Sequence, residues 1–481
     1  MASEAGKSLG AAAGAAESAV RAVQAVGEAA ATVDGRLLRA GRRAGVLGMS
    51  VGVVAAGAAA GVALERLTVG RTMRLRARAE LDAAAPFGSL RGVSRQITAD
   101  DGTRLYLELD GTARPVRPAA EEDPQAALAA TAGGPQDDPD AAPVRRGWFG
   151  RLRPSRPALA TAPGGALAAP EGSPPLTVVF CHGYCLNQDS WHFQRAWLRE
   201  GMRLVFWDQR SHGRSERGRS YQAGEPATID QLGGDLRAVI DAVAPEGPLV
   251  LVGHSMGGMT IMALADQDPE LFRERVAGVA LIGTTAGNWR EVTLGLPAYG
   301  ARMLHRVAPG VLKALGRQVE LVEATRRAGS EFTAVLYRRF SFASADVDPS
   351  VARFAEQMLE ATPIDVVAEF YPAFGLHDKA AALAALDGIP ALVLAGAGDL
   401  LTPPGHSEAI AAALPGAELV VVPDAGHLVM LEHPELVNSR LAALLAKAAR
   451  RCGAPLPASV REAADGDPED TGDLGDLGVQ P

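Results

Sequence analysis

From Leu176 onward, short apolar runs alternate with longer amphipathic stretches. The runs are "LTVVFCHG", "MRLVFWD", "LVLVGHS", "VAGVALIGTT", "ALVLAGAGD" and "AELVVVPDAGH". Brief, continuously apolar runs of this kind are expected of parallel strands buried on both faces. The pieces between them carry helical spacing and predict helices over 188–199, 226–244, 256–267, 405–414 and 434–448. Strand and helix in alternation predict an α/β fold, with helices covering both faces of a mostly parallel sheet. Upstream, "VSRQITADDGTRLYLELDG" (93–111) alternates around an Asp-Asp-Gly turn and reads as a hairpin. Residues 286–385 break the rhythm. They are helix-like and hold Trp289, Phe332, Tyr337, Phe340, Phe342, Phe370, Tyr371 and Phe374, as an inserted helical cap would.

Other segments do not fit this pattern. Residues 1–43 are Ala-rich with scattered charge. The stretch 44–64, "AGVLGMSVGVVAAGAAAGVAL", has no charged residue and is about as long as a membrane-spanning helix needs. It starts too far from Met1 for a signal peptide. Gly48, Gly52, Gly57 and Gly61 give it spacing suited to helix pairing in lipid. Arginines flank it on both sides, which leaves its orientation open. The expectation is a membrane-associated helix with the α/β domain facing the cytoplasm. The alternative is an Ala/Gly helix packed on protein in a soluble cytoplasmic chain. Residues 112–174 are rich in Pro, Ala, Gly and Asp and read as a disordered insertion, with "RRGWFGRLR" as a solvated basic patch. Residues 449–481 read as a flexible acidic tail. The α/β domain then spans 86–448.

Composition narrows the function. The 481 residues are 47% hydrophobic, enough for a sizeable core. A formal net charge of −9 argues against nucleic acid as a partner. The three cysteines form no disulfide framework. Cys181 and Cys185 flank His182 at a spacing that suits no common zinc site, so they read as small buried residues and no metal is expected.

The chemistry is concentrated at strand ends. "GHSMG" (253–257) places Ser255 between glycines after a strand and before a helix. Such a turn exposes the hydroxyl and aims the next backbone N–H at a developing oxyanion. A serine hydroxyl needs a base, and the base an orienting acid. Of nine histidines, His427 lies just past the last strand, where it can reach the sheet edge. His254 sits inside the turn and points away. His433 suits a helix start, and His182 belongs to another motif. Asp399 follows the "ALVLAGAG" strand directly, whereas Asp424 is too near His427 in sequence to orient it easily. The backbone N–H groups of Tyr184 and Met256 are the natural oxyanion donors.

Together "HGYCLN", "DQRSHGRSE", "GHSMGG", "GAGDLLTP" and "DAGHLVMLEHP" stand in the order of the α/β-hydrolase superfamily, which the chain resembles over about residues 88–448. The resemblance is nearest to the capped branch with esterases, lactonases and proline iminopeptidases. It implies an eight-stranded, mostly parallel sheet, a catalytic triad of Ser255, Asp399 and His427, and an oxyanion hole at Tyr184 and Met256. It also implies structural rather than catalytic roles for His212 and Ser215. The family usually has glycine where Ser211 stands. A serine nucleophile, rather than the aspartate of dehalogenases and epoxide hydrolases, implies attack at a carbonyl and an acyl-enzyme. The expected function is hydrolysis of a carboxylic ester or related acyl bond (thioester, lactone or amide) in a small or medium, apolar acyl substrate, without a cofactor. Acyl transfer, cofactor-free haloperoxidase or perhydrolase chemistry, and ligand binding without turnover are the alternatives.

Overall fold

The computed structural model describes residues 87–111, 175–289, 292–319, 337–344 and 346–465. The uncharged stretch 44–64 and the insertion 112–174 lie outside these residues. Among the described residues, no helix is long and apolar enough to cross a membrane.

The expected hairpin forms from β1 (Val93–Thr98) and β2 (Arg104–Asp110), paired antiparallel from Val93 opposite Leu109 to Thr98 opposite Arg104. Gly102 closes the turn at φ +83°, a backbone angle that glycine adopts without strain. β2 then pairs antiparallel with β4 (Arg203–Trp207). The rest of the sheet is parallel: β3 (Thr177–Cys181), β5 (Leu249–His254), β6 (Val276–Ile282), β7 (Ala391–Gly396) and β8 (Glu418–Val422). The order across the eight strands is β1-β2-β4-β3-β5-β6-β7-β8. β3, β5, β6 and β7 are buried at every residue, which explains why they read as unbroken apolar runs.

Helices cover both faces. The α-helices of seven residues or more are, in chain order, α1 (His192–Leu198), α2 (Ile229–Val243), α3 (Met256–Gln267), α4 (Pro269–Arg275), α5 (Ala298–Gly316), α6 (Pro349–Ala361), α7 (Ile364–Phe374), α8 (Pro404–Ala413), α9 (Pro434–Cys452) and α10 (Ala458–Asp465). A Thr228–Gln231 capping box starts α2, with Thr228 Oγ accepting from the Gln231 N–H and the Gln231 side chain accepting from the Thr228 N–H. Two cores result. One packs Phe180, Phe206 and Val250 against Leu441, Leu444 and Leu445 of α9. The other packs Val179, Leu251 and Leu281 against Leu236, Ile240 and Ile261 of α2 and α3.

The described residues between β6 and β7 are mainly helical, carrying α5, α6 and α7. A third apolar cluster joins them to the sheet edge: Val366, Phe370, Ala373 and Phe374 of α7 meet Met256, Met259 and Ala263 of α3. Burying an aromatic such as Phe370 contributes about 1.5–3 kcal/mol, so this contact holds α7 firmly above α3.

The C-terminal expectation is corrected. α9 continues to Cys452, ends at left-handed Gly453 (φ +67°), and α10 follows. The reason is apolar: Val460 of α10 is buried in the same core as Leu441 and Leu445, so residues 449–465 are part of the fold.

Candidate active site

The turn between β5 and α3 is built by two close approaches. A Cβ on Gly253 would lie 2.6 Å from the Gly257 carbonyl, and one on Gly257 would lie 2.1 Å from the Cys181 oxygen. Only glycine lets α3 rise this close to β5 and β3. Ser255, at the apex, has φ +52° and ψ −117°, a strained conformation for a residue with a side chain. Two bonds hold it there: the Ser255 N–H donates to the Ile282 oxygen (2.9 Å), and Thr284 Oγ1 donates to the Ser255 oxygen (2.7 Å).

The strain has a geometric result. Ser255 Oγ lies 3.0 Å from His427 Nε2, and His427 Nδ1 lies 2.7 Å from Asp399 Oδ2. His427 sits in the loop after β8, and Asp399 directly follows the β7 turn, as expected from the sequence. All three side chains are buried. With Asp399 accepting at Nδ1, that nitrogen carries the imidazole proton and leaves Nε2 free to accept from the Ser255 hydroxyl.

Asp399 stays ionised in this setting. Burial works against its charge, but the His427 contact and the Thr402 hydrogen bonds outweigh burial and hold the carboxyl below its usual range. The Leu401 and Thr402 N–H groups donate to Oδ1, and the Thr402 hydroxyl donates to Oδ2. Thr402 is a site residue that sequence reading missed, although "DLLTPP" marks a turn where Asp would accept from the following N–H groups.

His254 also belongs to the site. Its ring lies 4.8 Å from the His427 ring, and its Nε2–H donates to the His427 backbone oxygen at 2.8 Å. Burial drives its pKa down to about 3, so it remains neutral and acts as a fixed donor that holds the His427 loop. Its position inside the turn hid this role, because the partner is a main-chain atom 173 residues away.

The loop after β3 lies against the serine: a Cβ on Gly183 would come within 3.2 Å of Ser255 Cβ. His182 anchors this loop, with Nδ1–H donating to the Gly183 oxygen (2.7 Å) and Nε2 accepting from the Gln209 N–H (2.9 Å). Among the described residues, neither the Tyr184 nor the Met256 backbone N–H has a protein acceptor. The Tyr184 hydroxyl donates to the Val367 oxygen of α7 (2.5 Å), which ties this loop to the helices above.

His212 and Ser215 do not reach the triad. His212 Nδ1–H donates to the Arg210 oxygen, while Ser215 Oγ accepts from the Tyr106 N–H and donates to the Asp208 oxygen. Ser211, where glycine was expected, has φ +66°. Its hydroxyl accepts from the Gly218 N–H and donates to Glu369, bonds that glycine could not make. Cys181 and Cys185 are buried free thiols, and no cluster able to hold a metal exists among the described residues.

The family model for the alpha/beta hydrolase fold matches residues 177–434, more than half of the chain. The chain belongs to that family. It is 28% identical over 281 residues to the dihydrolipoyllysine-residue acetyltransferase component of the acetoin cleaving system of Pseudomonas putida, covering 56% of this chain and 63% of that protein. The match thus spans less than two thirds of that relative. It is 29% identical over 266 residues to the pimeloyl-[acyl-carrier protein] methyl ester esterase of Aromatoleum aromaticum, covering 54% of this chain and 93% of that protein. Among solved structures, a thermophilic esterase from Thermogutta terrifontis aligns with TM-score 0.48 at 23% identity, over 74% of this chain and 98% of that one. Esterases recur among the hydrolase relatives, at low identity.

Proposed function

We propose that the protein is a serine hydrolase that cleaves a carboxylic ester of a small, apolar acyl group. The observation that carries this reading is the continuous hydrogen-bonded row from Ser255 through His427 to Asp399, with spacings of 3.0 and 2.7 Å.

Each step uses one of these groups. Ser255 Oγ attacks the ester carbonyl carbon while His427 Nε2 takes its proton. Asp399 holds the imidazole tautomer and stabilises the imidazolium that forms. The negative oxygen of the tetrahedral intermediate accepts from the Tyr184 and Met256 N–H groups, which have no competing acceptor among the described residues. The imidazolium then protonates the departing alcohol and an acyl-enzyme remains. Water enters, His427 removes its proton, and a second collapse releases the acid and restores the Ser255 hydroxyl. No cofactor enters the cycle.

Acyl transfer is the second reading. Ser255 is only 9% exposed and His427 only 6%, so whichever acceptor reaches the acyl-enzyme must enter a nearly closed site. An alcohol or thiol acceptor in place of water would regenerate the serine by the same proton path.

The test is turnover of a panel of p-nitrophenyl esters of increasing acyl length, with and without added alcohol. Hydrolysis by the native chain, falling by at least about 10³-fold in Ser255→Ala, is the expected result. Equal turnover by the folded Ser255→Ala variant would refute the reading. Product partitioning toward the alcohol ester would favour transfer.

A further inference from the structure

Helix α5 has an outer face that no other described residue covers. Tyr299, Met303, Val307 and Val311 recur every fourth residue and are all exposed, Tyr299 by 78%. This spacing draws them into one apolar stripe along the helix. Leu376, just past α7, adds to it at 70% exposure. Between α5 and α7 opens a cleft of about 500 Å³, mainly apolar, lined by Trp289, Arg302, His305, Arg306, Tyr371 and Leu376 among others. Exposed apolar side chains aligned over three turns are unusual on a protein surface that faces only water.

Charge identifies the kind of partner. Arg302 and Arg306 directly precede Met303 and Val307, and Lys313 continues the same edge of the stripe. All three are exposed and have no ion-pair partner among the described residues. α5 contains no acidic residue, although the whole chain carries a net charge of −9. A cationic border on an exposed apolar stripe is the pattern of a helix that lies in a bilayer interface. Its apolar side enters the acyl boundary, while its cations meet anionic headgroups. A second copy of this chain fits less well, because a two-fold pairing of this face would set its own cations against each other.

We propose that the face of α5 docks on an anionic lipid bilayer, which brings the mouth of the α5–α7 cleft against the membrane surface. This docking is independent of the chemistry at Ser255. It is also distinct from any anchoring by residues 44–64, because it uses a folded helix between β6 and β7.

The experiment uses the full chain in a Cys452→Ser background, with Val311→Cys carrying an environment-sensitive fluorophore. Cys181 and Cys185 are buried and escape labelling. Phosphatidylcholine vesicles are added with or without phosphatidylglycerol. The expected result is a blue shift with the anionic vesicles only, reversed by high salt. The shift is lost in Arg302→Gln/Arg306→Gln and in Met303→Asp, with the far-ultraviolet circular dichroism of each variant unchanged. A label that stays in water while the chain floats with the vesicles would overturn the proposal, since another segment then does the binding. An equal shift on neutral vesicles would overturn it too. So would a label already shielded without lipid, which means that a second copy or another part of this chain covers the stripe. None of these readouts depends on turnover, so failure here and failure of the hydrolase reading are separable.

Discussion

At the residue scale, Asp399 has the most demanding role. It takes the Leu401 and Thr402 N–H groups on Oδ1, and the Thr402 hydroxyl and His427 Nδ1–H on Oδ2. An amide at this position cannot accept on both sides. Asp399→Asn would turn an N–H toward His427 Nδ1 and favour the wrong imidazole tautomer. We expect kcat to fall by roughly 10³–10⁴-fold with little change in stability, measured by steady-state ester hydrolysis and thermal melting. Activity near the native level would remove Asp399 from the mechanism. Ser255, Asp399 and His427 stand out in the sequence because each follows a strand and carries a reactive side chain. His254 and Thr402 do not, because their value lies in a main-chain oxygen and a carboxylate brought near by folding.

At the scale of elements, two glycines give opposite predictions. Gly257 opens α3 where it crosses β3, and an added Cβ would lie 2.1 Å from the Cys181 oxygen. Backbone cannot move aside as a side-chain end can, so Gly257→Ala should cost at least about 3 kcal/mol or prevent folding. Gly234 lies within α2 with nothing within 4 Å of where its Cβ would be. Gly234→Ala should stabilise the protein by about 0.5–1 kcal/mol. Denaturant midpoints of the two variants check the pair, and an unchanged or raised midpoint for Gly257→Ala would contradict the close packing of α3 on β3. The strands and the helices flanking them were legible because burial on both faces and helical spacing each leave a period in the sequence. α10 was not legible: "ASVREAAD" is polar and its fold rests on one buried valine, Val460, which no period announces.

At the scale of the whole molecule, Glu369 of α7 reports how the helical segment sits on the sheet domain. Its carboxyl accepts from Ser211 and lies 3.1 Å from Arg217. Burial raises its pKa from 4.5 to about 7, and the Arg217 and Ser211 contacts only partly oppose this. The folded protein then holds a proton here that the unfolded chain releases above about pH 4.5. The stabilisation is complete below that pH and is lost as pH rises to about 7, by up to about 3 kcal/mol. Buried Asp208 and Asp235, each raised to about 6, act in the same direction. Glu369→Gln should flatten its share of the decline in a pH series of urea denaturations, and an unchanged slope would contradict this burial. The cap's place in the chain was legible from the interrupted strand rhythm. Its docking was not, because Glu369, Arg217 and Ser211 meet only once α7 packs over α3.

The row from Ser255 through His427 to Asp399 predicts one nucleophile, and covalent capture tests it most directly. The native chain is treated with a fluorophosphonate and digested, and its peptides are weighed. The prediction is a single phosphonyl adduct on the peptide containing Ser255, absent from the folded Ser255→Ala protein and strongly slowed in a His427→Ala protein. A folded native chain that takes no label, or a Ser255→Ala protein labelled at the same rate, would contradict it.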